Sequence, residues 1–420
     1  MSEILDRHAG PIISEYLSYF PGVVIEGARQ VGKSTLAAQL VDDSAVLMNL
    51  DDERTRDAAE ADPSGFVTQA GRRTLVIDEI QRMPGLTLAV KAAIDADRTP
   101  GRFVLTGSSS LLRLRGTADS LAGRVARLTL YGLSQGEILG TADDFATSFS
   151  SQPAAVVDLS TPNDRRAYAE LFAQGAYPEL LRAPSHVRAP WIDGYLQGIV
   201  GRDMAELRRE ANPARSMAVL RTLAGRQASE LVKAKLAEET SVPASTITGY
   251  LDLLHDVGLV ASIPPWTPNL AKREIGRPKT FVIDTAIALR LARLTAAQLA
   301  QIVYGEAFGA VLEAFVAAEL LRQRTWSARD FDVFHYRDRD GDEVDLILEF
   351  DDGGVIGIEV KSSSSYSAAQ FKGLARLRDR LGDRFLAGVV LGTSTTGYRY
   401  SDRLFGAPVA ALWELGSTIR

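Results

Sequence analysis

Short apolar runs punctuate the first third of the chain: Val23-Val24-Ile25, Val46-Leu47-Met48, Leu75-Val76-Ile77 and Phe103-Val104-Leu105, each bounded by Gly, Pro or polar residues. Continuous runs of this length suit strands buried on both faces of a parallel sheet. Helical patterns fill the intervals, which predicts an α/β layer architecture. From about Gly140 to Arg166 the text turns to Ser, Thr, Ala, Asp and Pro without periodicity, and a loop or insertion is expected there. Helical spacing resumes at Tyr168–Phe172. A Gly-Ala-Tyr-Pro turn at 175–178 and a long helical stretch from near Trp191 follow.

Leu231 to Val260 reads as a helix (232–240), a Ser-Val-Pro turn and a second helix (245–254). Ile247, Leu251 and Leu254 fall at helical spacing, while Ser245, Thr246 and Thr248 keep the start of the second helix polar. That is the pattern of a helix-turn-helix, whose second helix can reach base edges or phosphates with its first residues. Gly258-Leu259-Val260 begins a wing-like hairpin, and a Pro-rich break at 263–268 ends the middle region. Phe281-Val282-Ile283 then opens a last α/β segment that runs to Arg420.

Composition narrows the classes. With 420 residues, two or three domains are expected. Hydrophobic residues at 46% and charged residues at 24% are a globular balance. A net charge of −6 excludes a polycation that coats nucleic acid, although residues 202–235 carry eight Lys/Arg against four acids. The absence of cysteine excludes disulfides, thiolate zinc sites and cysteine nucleophiles, and His8, His186, His255 and His335 are too scattered for a histidine metal site. No apolar stretch approaches the ~18 residues of a membrane span. The charged start, Met-Ser-Glu-Ile-Leu-Asp-Arg-His, lacks the apolar run of a secretory signal. A soluble, cytoplasmic protein with no membrane contact is the expectation.

Gly27-Ala28-Arg29-Gln30-Val31-Gly32-Lys33-Ser34 fits G-x-x-x-x-G-K-[ST] in full, between a strand and a helical pattern that begins with Thr35 and Leu36. In such a loop backbone N–H groups close around phosphates, Lys33 neutralises their charge and Ser34 can ligate Mg²⁺. Leu75-Val76-Ile77 ends in Asp78 and Glu79. Asp78 at the strand tip is placed to hold Mg²⁺, and Glu79 to polarise the attacking water. The next strand ends in Thr106-Gly107-Ser108, and either Thr106 or Ser108 could contact the γ-phosphate or the water. Arg124, in Leu-Ala-Gly-Arg-Val, reads either as a finger acting across a subunit interface or as a solvated surface residue.

In their order and wording, Gly-Ala-Arg-Gln-Val-Gly-Lys-Ser-Thr (27–35), Val-Ile-Asp-Glu-Ile-Gln (76–81), Leu-Thr-Gly-Ser-Ser (105–109) and Leu-Ala-Gly-Arg-Val (121–125) resemble the AAA+ ATPases, and among them a prokaryotic clade, the archaeal-type ATPases. The resemblance implies an α/β chain. It would hold a P-loop AAA+ domain with a helical lid over 1–200, the 140–166 insertion included. A winged helix over 201–275 and a PD-(D/E)XK nuclease-like domain over 276–420 would follow. It implies ATP and Mg²⁺ as ligands and a ring-like homo-oligomer, while the phosphate loop, the helix-turn-helix and the carboxylate hairpin of the last segment together point to DNA as partner. Winged helices also serve as protein-binding modules, so a partner protein is the other reading of the middle region.

In the last segment Glu343–Phe350 alternates, with Val344, Leu346, Leu348 and Phe350 expected on one face and Glu343, Asp345, Ile347 and Glu349 on the other. Asp351-Asp352-Gly353-Gly354 signals a hairpin turn, and the returning strand sets Glu359 and Lys361 on one face. Asp345 and Glu359 could hold Mg²⁺ or Mn²⁺, with Lys361 at the water or phosphate and a glutamate of the 309–320 helix (Glu313 or Glu319) completing the shell. The PD-(D/E)XK resemblance implies Glu313, Asp345, Glu359 and Lys361. The expected function is Mg²⁺-dependent ATP hydrolysis coupled to DNA binding or processing. The alternative is an ATP-gated switch that binds a protein and carries an inactive nuclease-like domain.

Overall fold

The computed structural model describes residues 4–107, 121–208, 211–267, 276–337 and 341–418. Helix α1 (Ala9–Tyr19) leads into β1 (Gly22–Glu26), and helix α2 (Lys33–Gln39) follows the glycine-rich loop. With β2 (Val46–Asn49), β3 (Leu75–Asp78), β4 (Phe103–Gly107) and β5 (Val125–Thr129) they build a five-stranded sheet. Its order is β2-β3-β4-β1-β5, parallel at every pairing. The continuous apolar runs of β1, β3 and β4 follow from burial on both sides, whereas β2, expected to be buried likewise, is the edge strand and leaves Leu47 exposed. Val23 and Ile25 enter one core with Val76 and Val104, while Val24 joins Ile77 and Leu105 on the opposite face. Because β4 lies between β1 and β3, the loop after β1 and the carboxylate that ends β3 flank one cleft at the sheet edge where α/β proteins bind ligands.

The aperiodic stretch 140–166 is not a loop. It contains helix α3 (Phe145–Ser151) and a 3₁₀ turn, Pro153–Asp158, before helix α4 (Arg165–Gln174). Phe145, Phe149, Val156 and Leu159 are buried with Phe315, Phe405 and Trp413, so this stretch belongs to the core of the C-terminal unit rather than to the nucleotide domain. Polar contacts agree: Phe145 N–H donates to Gln323 Oε1 at 2.9 Å, and Ala410 N–H to the Tyr168 hydroxyl at 3.0 Å. The helix is too short to display a period. Its start is set by Asp144, whose carboxylate accepts from Thr147 N–H at 3.1 Å.

The middle unit comprises α5 (Ser185–Gly198), α6 (Pro213–Ala224), β6 (Ser229–Glu230), α7 (Lys233–Thr240), α8 (Ala244–Asp256), β7 (Val260–Ile263) and β8 (Lys279–Val282). The strands form an antiparallel sheet in the order β6-β8-β7. This corrects the boundary expected at 275/276: β8 does not open the last segment but pairs with β7 as the returning strand of its hairpin. Leu236, Ile247, Leu251 and Leu254 pack into the same core as Val23, Ile25 and Leu36, so the middle unit is fused to one face of the nucleotide sheet.

The C-terminal unit has helix α9 (Gly305–Gln323) against a six-stranded sheet. That sheet comprises β9 (Phe331–Arg337), β10 (Glu343–Phe350), β11 (Val355–Val360), β12 (Phe385–Gly392), β13 (Tyr398–Ser401) and β14 (Leu404–Pro408), ordered β13-β14-β12-β11-β10-β9. Simple alternation fails in β10. The pairing with β9 shifts register between Val344 and Ile347, and Val344 shares a core with Ile347, away from Leu346, Leu348 and Phe350. An irregularity of this kind re-aims side chains, and here it falls at Asp345.

Candidate functional site

The loop between β1 and α2 needs unusual backbone. Gln30 (φ 62°) and Gly32 (φ 97°) are both left-handed, which turns successive N–H groups toward one point at the start of α2. Lys33 is buried, and its ammonium donates to the carbonyls of Gly27 (3.1 Å) and Ala28 (2.8 Å) within the loop. Burial lowers its pKa, opposed by the charges of Glu79 and Asp78. Ser34 Oγ donates to Asp78 Oδ1 at 2.8 Å, so the loop and the tip of β3 meet as the motif spacing requires. Ser34 and Thr35 are exposed at the start of α2.

Thr106 is fully buried at the end of β4. Its hydroxyl donates to the same Asp78 oxygen and accepts from Glu79 N–H at 3.2 Å. Glu79 itself is left-handed, with φ 57° and ψ 43°, and its carboxylate accepts from Gln81. Of the two polar residues proposed after β4, Thr106 is thus joined to the acidic pair, and Ser108 lies outside the described residues. Arg29 is ion-paired with Asp203 at 2.6 Å. Arg124 makes a two-pronged contact to Asp95, at 2.7 and 2.9 Å. Sequence reasoning missed Arg7, whose buried guanidinium donates to the loop carbonyl of Val31 at 2.8 Å and to Glu137 at 2.9 Å. No spacing signal marks it.

Residues 20–139 match the AAA domain family. This part of the chain is an AAA+ ATPase domain. Residues 165–298 and 308–412 match two further families, each described only as a domain of unknown function (DUF8612 and DUF4143). The chain is 29% identical over 416 residues to the uncharacterized protein Rv2008c of Mycobacterium tuberculosis, covering 98% of this chain and 85% of that one. Its Mycobacterium bovis counterpart, Mb2031c, matches to the same extent. Among solved structures it is similar to RuvB of Thermotoga maritima (17% identity, 66% of this chain and 92% of that one, TM-score 0.27). It is also similar to DnaA of Aquifex aeolicus (10% identity, 58% and 86%, TM-score 0.28). No helix among the described residues is long and apolar enough to cross a membrane.

An AAA+ domain implies ATP with Mg²⁺, and the residues here fit both. A hydroxyl and a carboxylate at 2.8 Å from each other are the hard oxygen donors that Mg²⁺ takes alongside phosphate. The buried Lys33, which among the described residues donates to carbonyls of its own loop, has the charge and position to meet phosphates.

Behind the AAA loop the three units converge. A cavity of about 350 Å³ is lined by Gly27 and Ala28 of the loop, His255 and Gly258 after the second helix of the helix-turn-helix, and Arg322 and Arg324 at the end of α9. Arg322 is buried and paired to Glu319 at 2.7 Å. Burial pushes the Glu319 carboxyl up to about 7. Glu319 also accepts from Gln135 N–H at 3.0 Å, which ties α9 to the chain after β5. It therefore serves this joint and not the carboxylate cluster.

That cluster brings together Glu313, Asp345, Glu359 and Lys361, the four residues that the PD-(D/E)XK resemblance implies. Lys361 Nζ is 2.5 Å from Glu359 and 3.6 Å from Asp345, and Asp345 Oδ2 accepts from Val360 N–H at 2.8 Å. Sequence reasoning missed the residue at its centre. Lys279, at the start of β8, places its ammonium 2.7 Å from Glu313, 3.1 Å from Glu343 and 3.4 Å from Asp345. One lysine ahead of an apolar run gives no sequence signal. With it in place the donor set does not fit the Mg²⁺ or Mn²⁺ expected there. Among the described residues no group of three or more His, Asp or Glu is arranged to hold a metal ion.

Proposed function

We propose that the chain hydrolyses ATP at the AAA loop and uses the cycle to reposition its helix-turn-helix unit against DNA. In this reading Ser34 and Asp78 would hold Mg²⁺, which would supply neutralisation of phosphate charge. Lys33 leaves the loop carbonyls for the phosphates, and Thr106 fixes Asp78 while orienting the amide of Glu79. The Glu79 carboxylate takes a proton from the attacking water. Arg124, exchanging Asp95 for the phosphates of a neighbouring copy, would be the finger of an oligomeric ATPase.

The coupling rests on one observation. A Cβ on Gly258 would stand 3.2 Å from Ala28 N, so the end of the second helix lies directly against the loop, and in this reading a loop that reshapes around phosphates acts on it. DNA as partner is supported by the exposed residues Ser245, Thr246 and Thr248 at the start of α8 and by the exposed Lys233 and Lys235 on α7. The second reading, a switch acting on a protein partner, is favoured by Lys279, because an ammonium among the carboxylates removes a reason for DNA to enter the C-terminal unit. DNA affinity measured against salt separates them: a steep slope supports several phosphate contacts, and no binding at low salt favours the switch.

A further inference from the structure

Lys279 belongs to the middle unit by its backbone, since β8 pairs with β6 and β7, and to the C-terminal unit by its charge. Its side chain is only 5% exposed, and Glu313 from helix α9 and Glu343 and Asp345 from β10 converge on its ammonium. Acids from a helix and a strand thus converge on one point, and the ammonium occupies it. A divalent cation there needs its oxygens at about 2.0–2.6 Å. It cannot share them with an ammonium already within hydrogen-bond distance of two of them. The other oxygen of Asp345 is held by Val360 N–H and faces Lys361.

We propose that Lys279 is the resident cation of this carboxylate site, taking the place of a metal and locking the hairpin strand of the middle unit onto the C-terminal sheet. On this account the nuclease-like site is a joint between units, without metal-dependent cleavage. The charge balance is consistent. Burial alone would lower the Lys279 pKa, but the charges of Glu313 and Asp345 outweigh it and raise it, keeping the ammonium. Burial and the charge of Asp345 raise Glu313, which relieves the surplus of acids.

The test is Mn²⁺ binding, counted by electron paramagnetic resonance on the whole chain without nucleotide. Wild type and Asp345→Asn should bind the same number of ions. Lys279→Met should gain one, which Asp345→Asn in the same chain removes, and should melt at a higher temperature with Mn²⁺ than without. Lys279→Arg, which keeps the charge, should gain none. Two results overturn the proposal: a wild-type Mn²⁺ site lost on Asp345→Asn, or a folded Lys279→Met that binds no additional ion. Should Lys279→Met fail to fold, the comparison of wild type with Asp345→Asn still decides. ATP turnover on the same wild-type sample reports separately on the AAA site.

Discussion

Gly258 stands against Ala28: a Cβ on the glycine would lie 2.9 Å from the alanine Cβ and 3.2 Å from its backbone nitrogen. The first residue follows the second helix of the helix-turn-helix, and the second lies in the phosphate loop. The end of α8 and the phosphate loop are therefore in direct contact, which is the contact that the proposed coupling uses.

Substituting Gly258 tests that contact. Its φ of +73° penalises any side chain by about 1 kcal/mol, so a control with the same backbone cost is needed. Gly71, with φ +62° and open space at its Cβ position, supplies it. Gly258→Ala is expected to raise the KM for ATP several-fold, while Gly71→Ala lowers the melting temperature and leaves KM unchanged. Equal KM values for both variants would remove the contact from the mechanism.

The carboxylate cluster carries a pH signature. Burial, then the charge of Asp345, pushes Glu313 up to about 8 from an ordinary 4.5. A carboxyl raised on folding binds its proton more tightly in the folded state. Its contribution to stability is complete below about pH 4.5 and is lost as pH rises through about 8. Glu313→Gln does not titrate, so its melting temperature should gain on wild type from pH 5 to about pH 8 and level off above it. A difference that stays flat over that range contradicts the assignment.

If the helix-turn-helix binds DNA, the exposed Lys233 and Lys235 of its first helix are candidate phosphate contacts. Removing one phosphate contact lowers the slope of log affinity against log salt by about 0.9. Lys233→Ala and Lys235→Ala should each flatten the slope by about that amount and weaken binding to different sequences alike. An unchanged slope in both variants would move the DNA surface elsewhere or favour the protein partner.

The stretch 140–166 marks the limit of what pattern reveals. Strands β1, β3 and β4 were legible because burial on two faces demands unbroken apolar runs, and the phosphate loop because its backbone tolerates few sequences; β2 carries such a run at the sheet edge with Leu47 exposed. Phe145 and Phe149 sit in a two-turn helix amid Ser, Thr and Asp, where a period cannot show, and the core they join is formed by residues far along the chain. Lys279 was illegible for the same reason: its partners are acids of another unit. Phe149 is fully buried, between Phe145 (5.1 Å, stacked) and Phe405 (6.1 Å, edge-on). Phe149→Ala should cost about 3–5 kcal/mol of stability in chemical denaturation. A loss below about 0.5 kcal/mol, the range of surface substitutions, would contradict the place of Phe149 in this core.

ATP turnover by the whole chain, with and without double-stranded DNA, beside Lys33→Ala, bears most directly on the coupling. Turnover that DNA stimulates, and that falls by a factor on the order of 10² or more in Lys33→Ala, is the expected result. Turnover at the wild-type rate in Lys33→Ala would contradict the ATPase site itself, and turnover indifferent to DNA would contradict its coupling to DNA.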